Sequence, residues 1–243
     1  MRLPGRELES LLAASVPDDD ARQAIADRYI EAEVGRPGGR PWRVLDLGCG
    51  AGGSVDSFRA RDPEVDWIGL DVPGSPEARP RDDARIETFD GITIPFEEAS
   101  FDLVFCKQVL EHVRNPRPLL AETRRVLAPG GYFAGSTSQL EPFHSLSVWN
   151  YTPFGFSLLS TEAGLVLIEV RPGIDALTLI ARRLLPRGRS ADRWWARWWG
   201  NQSPLNSTID LYGRARRLDV RDVNATKLLF CGQFAFLARR PAE

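Results

Sequence analysis

The stretch Val44-Leu45-Asp46-Leu47-Gly48-Cys49-Gly50-Ala51-Gly52-Gly53, VLDLGCGAGG at residues 44–53, decides how this chain is read. A short apolar run that halts at a cluster of glycines predicts a buried strand followed by a tight turn, where the backbone can approach a ligand closely. Gly48, Gly50 and Gly53 satisfy G-x-G-x-x-G, the dinucleotide fingerprint. On its own that match is weak, since glycine-rich turns occur in many loops. Asp46 separates the alternatives. A carboxylate two residues ahead of the first glycine opposes the doubly negative pyrophosphate that a dinucleotide lays on such a turn. The same carboxylate suits a nucleoside cofactor whose tail is cationic.

Working outward, the chain alternates strand and helix patterns, which predicts a parallel sheet with helices on both faces. Downstream of the first strand (42–47) and a helix near 54–61, VDWIGLD (65–71) reads as a strand ending in Asp71. An acid there accepts hydrogen bonds from ribose hydroxyls in either cofactor class. ARIETFD (84–90) is a third strand, and Asp90 at its end suits either an adenine amino group or a turn. SFDLVFCK (100–107) is the fourth. The helical PRPLLAETRRVLA follows and stops at PGG (129–131), and YFAGSTS (132–138) is the fifth strand. A helix over 153–164 and the strand LVLIEVRP come next. Residues 172–225 read as a helical cap that includes DALTLIARRLL and ADRWWARWWG, and KLLFCGQFAFLARR (227–240) reads as the last strand. Upstream, 7–34 reads as helix within an N-terminal region of 1–40. The expected organisation is one domain over 1–243, with its core at 42–171 and 226–240.

Composition narrows the class. With 43% hydrophobic and 26% charged residues and a net charge of −2, the chain reads as a globular protein with no global field to attract nucleic acid. Arg214, Arg216 and Arg217 read as a solvated face. No secretory signal and no run of about 18 apolar residues is present, so a cytoplasmic protein without membrane insertion is expected. Cys49, Cys106 and Cys231 are too widely spaced for a metal cluster, and no metal is expected.

The runs VLDLGCGAGG, IGLDV, FDGITIPFEEASFDLVFCKQVLEHV and RRVLAPGGYFAGST stand in order across residues 42–138. Together they resemble the class I S-adenosylmethionine-dependent methyltransferases, in the ubiquinone-biosynthesis-like (methyltransferase type 11) group. The resemblance implies a Rossmann-like, seven-stranded, mostly parallel sheet with an antiparallel last strand and a helical cap between strands six and seven. It implies S-adenosyl-L-methionine as cofactor, held by Asp46, Gly48, Gly50, Asp71, Asp90, Lys107 and Gln108. Asp46 and Gly48 would face the amino-acid moiety, Asp71 the ribose and Asp90 the adenine. Val72 and Ile92 would pack on the adenine ring, with Gly91 in the same turn.

Methyl transfer from a sulfonium asks the protein mainly to position the acceptor and exclude water. A hydroxyl acceptor also gives up a proton, a task for histidine. The chain has only two histidines. His144 lies in LEPFHS, beyond the fifth strand at the ligand-binding edge of the sheet, and His112 lies in QVLEHV. Both are candidate catalytic residues, with His144 preferred. Glu141, Trp149 and Tyr151 share the His144 loop and are candidate acceptor-binding residues. Trp194, Trp195, Trp198 and Trp199 read as core packing, as a lid, or as a membrane-surface or homodimer contact. The expected partner is a small-molecule acceptor methylated on oxygen, from secondary metabolism or carrying sugar. The rival readings are a nicotinamide-dependent oxidoreductase and a cofactor-binding protein without transfer. A nucleic-acid methyltransferase is disfavoured by the acidic balance.

Overall fold

The computed structural model describes residues 5–77, 81–184 and 202–242. Among these, seven strands form one sheet: β1 (Arg43–Leu47), β2 (Asp66–Asp71), β3 (Arg85–Thr88), β4 (Phe101–Lys107), β5 (Leu127–Ser138), β6 (Val166–Pro172) and β7 (Gln233–Arg239). Their order is β3-β2-β1-β4-β5-β7-β6. The pairs from β3 through β5 are parallel, whereas β7 runs antiparallel to both β5 and β6. This is the Rossmann-like sheet with an antiparallel last strand that the sequence implied.

Central strands covered on both faces must be apolar throughout, with alternate residues serving opposite layers. β4 follows this rule. Val104 and Cys106 join one core layer with Leu119 and Leu120 of helix α4 (Pro116–Val126) and Phe156 of α5 (Pro153–Glu162). Leu103 and Phe105 join the other, with Tyr29 and Ile30 of α2 (Asp27–Glu31) and Phe58 of α3 (Val55–Arg61). The chain leaves β1 toward β2 and β3, then returns to add β4 on the other side. A crevice opens between β1 and β4 where the order reverses, and open α/β sheets bind ligands there.

Two elements differ from expectation. The helix expected over 7–34 is broken into α1 (Arg6–Leu12), a short 3-10 turn at Ala13–Ser15 and α2. Pro17 cannot continue a helix, and residues 16–26 instead lie as a strap held by the far end of the chain. The Asn224 amide donates to the carbonyls of Pro17 and Asp20, both at 2.8 Å, and the buried Lys227 ammonium donates to Ala21 O. The strand expected over 227–240 begins only at Gln233, because Lys227–Phe230 is the last turn of α8 (Val220–Phe230), capped at its start by Asp219. The helical region therefore runs past 225 and, in the described part, comprises α6 (Ala176–Leu184), α7 (Pro204–Arg216) and α8. The four clustered tryptophans, Trp194 to Trp199, lie outside the described residues. Among the described residues, no helix is long and apolar enough to cross a membrane.

The strap makes a clean stability prediction. Asn224 is fully buried, and Asn224→Ala takes this donor away from the buried Pro17 carbonyl and the half-buried Asp20 carbonyl. A loss of about 2–3 kcal/mol is expected from urea unfolding followed by circular dichroism. An unchanged midpoint would show that the strap contributes nothing.

Candidate active site

The site is assembled at the ends of β1, β2 and β4. Gly48 and Gly50 adopt φ of 73° and 54°, which a side chain resists, and Gly48 N–H donates to Leu70 O at 2.7 Å, folding the turn back over β2. A Cβ on Gly48 would fall 2.3 Å from the Val109 side chain, so this turn also needs glycine for space. Asp46 is buried at the base of the turn and accepts a hydrogen bond from Ser54 Oγ, which in turn accepts from the Trp67 indole. Burial raises the Asp46 carboxyl to about 7, opposed by the Ser54 bond and by the charge of Lys107.

Asp71 is buried and already half employed. One oxygen accepts from Gly50 N and the other from Val72 N, each at 2.7 Å. A carboxylate oxygen accepts twice, so each retains a lone pair, and Asp71 lines the larger of two cavities here. Asp90 closes a turn by accepting from the N–H groups of Ile92 and Thr93, which hold its carboxyl below the usual range. Lys107, at the end of β4, is ion-paired with Asp27. Gln108 follows it at φ 57°, with its amide bonded to Ser136 Oγ at 3.1 Å.

Two adjoining cavities share Gly48, Glu77 and Lys107. One, of about 500 Å³, is bounded by Asp46, Gly50, Ser54, Phe105 and Asp27. The other, of about 540 Å³, runs past Asp71, Asp90, Gly91 and Gln108 to His112, Ser145 and Leu146. Val72 and Ile92 line it while 40% and 47% exposed. Apolar side chains left open inside a cavity are suited to cover a flat ring. Every cofactor-side residue singled out in the sequence thus borders one of the two cavities. Sequence reasoning missed Glu77, which borders both from the loop after β2, and Ser54, whose link to Asp46 depends on the fold of the turn.

The acceptor-side residues are distributed differently. Of the two histidines, His112 lines the larger cavity and His144 stands one layer behind it. Their rings meet edge to face with centroids 5.3 Å apart. His144 Nε2 lies 3.9 Å from Glu111 Oε1, and its Nδ1 lies 3.6 Å from Glu141 Oε1. Glu111 is fully buried in the 3-10 turn Leu110–His112, where it accepts from Thr137 Oγ1 at 3.0 Å and Ser138 Oγ at 3.1 Å, and burial raises it to about 7. Burial and the neighbouring His144 lower the His112 pKa.

Glu141, Trp149 and Tyr151 do not border either cavity. Glu141 is buried and accepts from Ser138 Oγ and Gln233 Nε2. The Trp149 indole donates to Val113 O at 3.0 Å, and the buried Tyr151 hydroxyl donates to Leu110 O at 3.0 Å. Their polar atoms are used to pin the loop against the turn that carries His112. The loop residues facing the cavity are instead Ser145 and Leu146.

Residues 45–135 match the family model described as a methyltransferase domain. The matched stretch begins in β1, holds the glycine turn and ends within β5. The chain is 31% identical over 123 residues to a ubiquinone biosynthesis O-methyltransferase from Acinetobacter baumannii, covering 47% of this chain and 50% of the relative. It therefore spans about half the length of that curated relative. Among solved structures, the [4+2]-cyclase SpnF matches with a TM-score of 0.56 at 18% identity, covering 97% of this chain and 92% of its own. Geranyl diphosphate C-methyltransferase from Streptomyces coelicolor A3(2), in complex with Mg2+, geranyl diphosphate and S-adenosyl-L-homocysteine, matches with a TM-score of 0.56 at 14% identity, covering 88% and 76%. At such identities the likeness concerns the fold alone, and one neighbour is named a cyclase, so the chemistry has to be argued from the site.

Proposed function

We propose that the chain transfers the methyl group of S-adenosylmethionine to an oxygen of a small-molecule acceptor from secondary metabolism or bearing sugar. The carrying observation is the juxtaposition of two differently built cavities, an acidic one at Asp46 and an apolar one that runs from Asp71 to His112. In this reading the ribose hydroxyls bond Asp71, the adenine lies between Val72 and Ile92 with its amino group toward Asp90, and the amino-acid tail enters beside Asp46, Gly48 and Gly50. The Lys107 ammonium meets the tail carboxylate, and Gln108 holds the backbone beside it. The sulfonium then stands where the cavities meet, and the acceptor fills the remainder of the apolar cavity. Its oxygen rests against His112, where it loses its proton. The three free thiols support the cytoplasmic reading.

A nicotinamide dinucleotide would bring its pyrophosphate against the Asp46 end, where the buried carboxylate repels it. Calorimetric titration with S-adenosylhomocysteine and with NAD separates the two. Binding of NAD with no response to S-adenosylhomocysteine would overturn the proposal, and release of S-adenosylhomocysteine across a panel of hydroxylated acceptors would identify the substrate.

Asp46 also sets a pH dependence. Its folded pKa of about 7 lies above the ordinary aspartate value of 3.8, so between these values the folded apoprotein binds the extra proton and this group's contribution to stability falls as pH rises. A cationic tail favours the carboxylate, so S-adenosylhomocysteine affinity is expected to rise as pH increases through about 7, with a proton released on binding. Asp46→Asn should flatten the profile, as read by calorimetry in buffers of different ionisation enthalpy. A parent profile as flat as the variant's would remove Asp46 from the tail.

A further inference from the structure

We propose that Glu111, His112 and His144 hold one divalent transition-metal ion of the zinc class at the acceptor end of the larger cavity. One donor atom from each lies within 4.8 Å of the others. Ligands about 2.0–2.1 Å from zinc in a tetrahedron stand roughly 3.4 Å apart, so closure requires side-chain movements of about 1 Å. Two imidazoles and a carboxylate are the donors of transition ions, not of magnesium or calcium.

The surroundings fit such a centre. His112 Nδ1 and His144 Nδ1 are both buried without a hydrogen-bond partner. The Leu146 carbonyl favours the protonated His112 ring, and the buried Nδ1 of that ring has no hydrogen-bond partner. A ligating histidine ordinarily donates its other N–H to a carbonyl or carboxylate. For His144 the corresponding partner is Glu141, 3.6 Å from Nδ1, while Nε2 faces Glu111. The two carboxylates are buried together, with Arg183 reaching only Glu141, at 3.4 Å. A dication between the imidazoles and Glu111 would balance the second charge. The sequence offered no sign of this group, because its members come from two separate segments.

What the ion does rests on the proposed function. An ion there would lie beside the cavity that His112 lines, where it would lower the pKa of an acceptor hydroxyl so that the proton passes to solvent. The oxygen then attacks the methyl carbon. The O–C bond forms as the C–S bond breaks, and the sulfur keeps the electron pair as neutral S-adenosylhomocysteine.

The test uses the full chain, stripped by chelator dialysis and titrated with Zn2+ and Co2+. One Zn2+ per chain in the micromolar range or tighter is expected, with visible d–d bands for Co2+ at low coordination number. His144→Ala should weaken Zn2+ binding about 100-fold or more, and the outer partner change Glu141→Gln about 10–100-fold, each with S-adenosylhomocysteine affinity within about twofold. If Glu111→Gln fails to fold, the loop variant His144→Ala still decides. A parent that binds S-adenosylhomocysteine but no Zn2+, or equal Zn2+ binding in His112→Ala/His144→Ala, overturns the metal site and leaves methyl transfer standing. Zn2+ bound without any S-adenosylhomocysteine binding overturns the transfer reading instead.

Discussion

Asp71→Ala is expected to weaken S-adenosylhomocysteine binding by about 10²–10⁴-fold. The carboxylate already binds Gly50 N and Val72 N, and in the proposed pose its remaining lone pairs accept from the ribose hydroxyls. Each hydrogen bond to a charged group contributes about 1.5–3 kcal/mol, so the loss of two amounts to roughly 3–6 kcal/mol, with tenfold per 1.4 kcal/mol. The substitution also unties the glycine turn, since Gly50 N loses its partner. Asp71→Asn separates these effects, because the amide keeps one acceptor oxygen for the turn or the ribose but not for both, and an intermediate loss of about tenfold is expected. Calorimetry on both variants, with thermal unfolding as a check on folding, gives the answer. Parent-like affinity in Asp71→Ala would displace the cofactor from β2 and with it the whole placement of the adenosine.

The residues that border the two cavities were readable in the chain because their determinants are local. Asp46 and the glycines are consecutive, Asp71 ends an apolar run, and an acid at a strand terminus in this fold has few other uses. Long-range partners hid the rest. The residues 16–26 carry acids and alanines that suit a helix, yet their carbonyls are claimed by Asn224 and Lys227 some two hundred positions away. KLLF is as apolar as the strand that follows it, with no breaker to mark where α8 ends. Trp149 and Tyr151 have the chemistry of acceptor contacts, but their polar atoms are occupied by the carbonyls of Val113 and Leu110. His144 was preferred for its loop beyond the fifth strand, at the ligand-binding edge of the sheet. Once folded, that loop tucks it behind His112 against two buried carboxylates.

The position of His112 on the cavity wall leads to the second large effect. His112→Ala is expected to lower kcat by about 10²–10⁴-fold, the usual span for loss of a group that handles the acceptor's proton, while S-adenosylhomocysteine affinity stays within about twofold. The ring touches the acceptor end of the cavity and none of the groups assigned to the adenosine or the tail. His144→Ala then distinguishes two ways in which the pair operates. If His144 only props the His112 ring, its removal costs about tenfold in kcat and is largely rescued by glutamine, which refills the space. If both imidazoles act through a shared ion, removing either destroys the same unit, the two losses match within a few-fold, and the double variant is no worse than either single one. The second pattern is expected. Full kcat in His112→Ala would place the proton transfer elsewhere, and loss of S-adenosylhomocysteine binding would move this histidine to the cofactor.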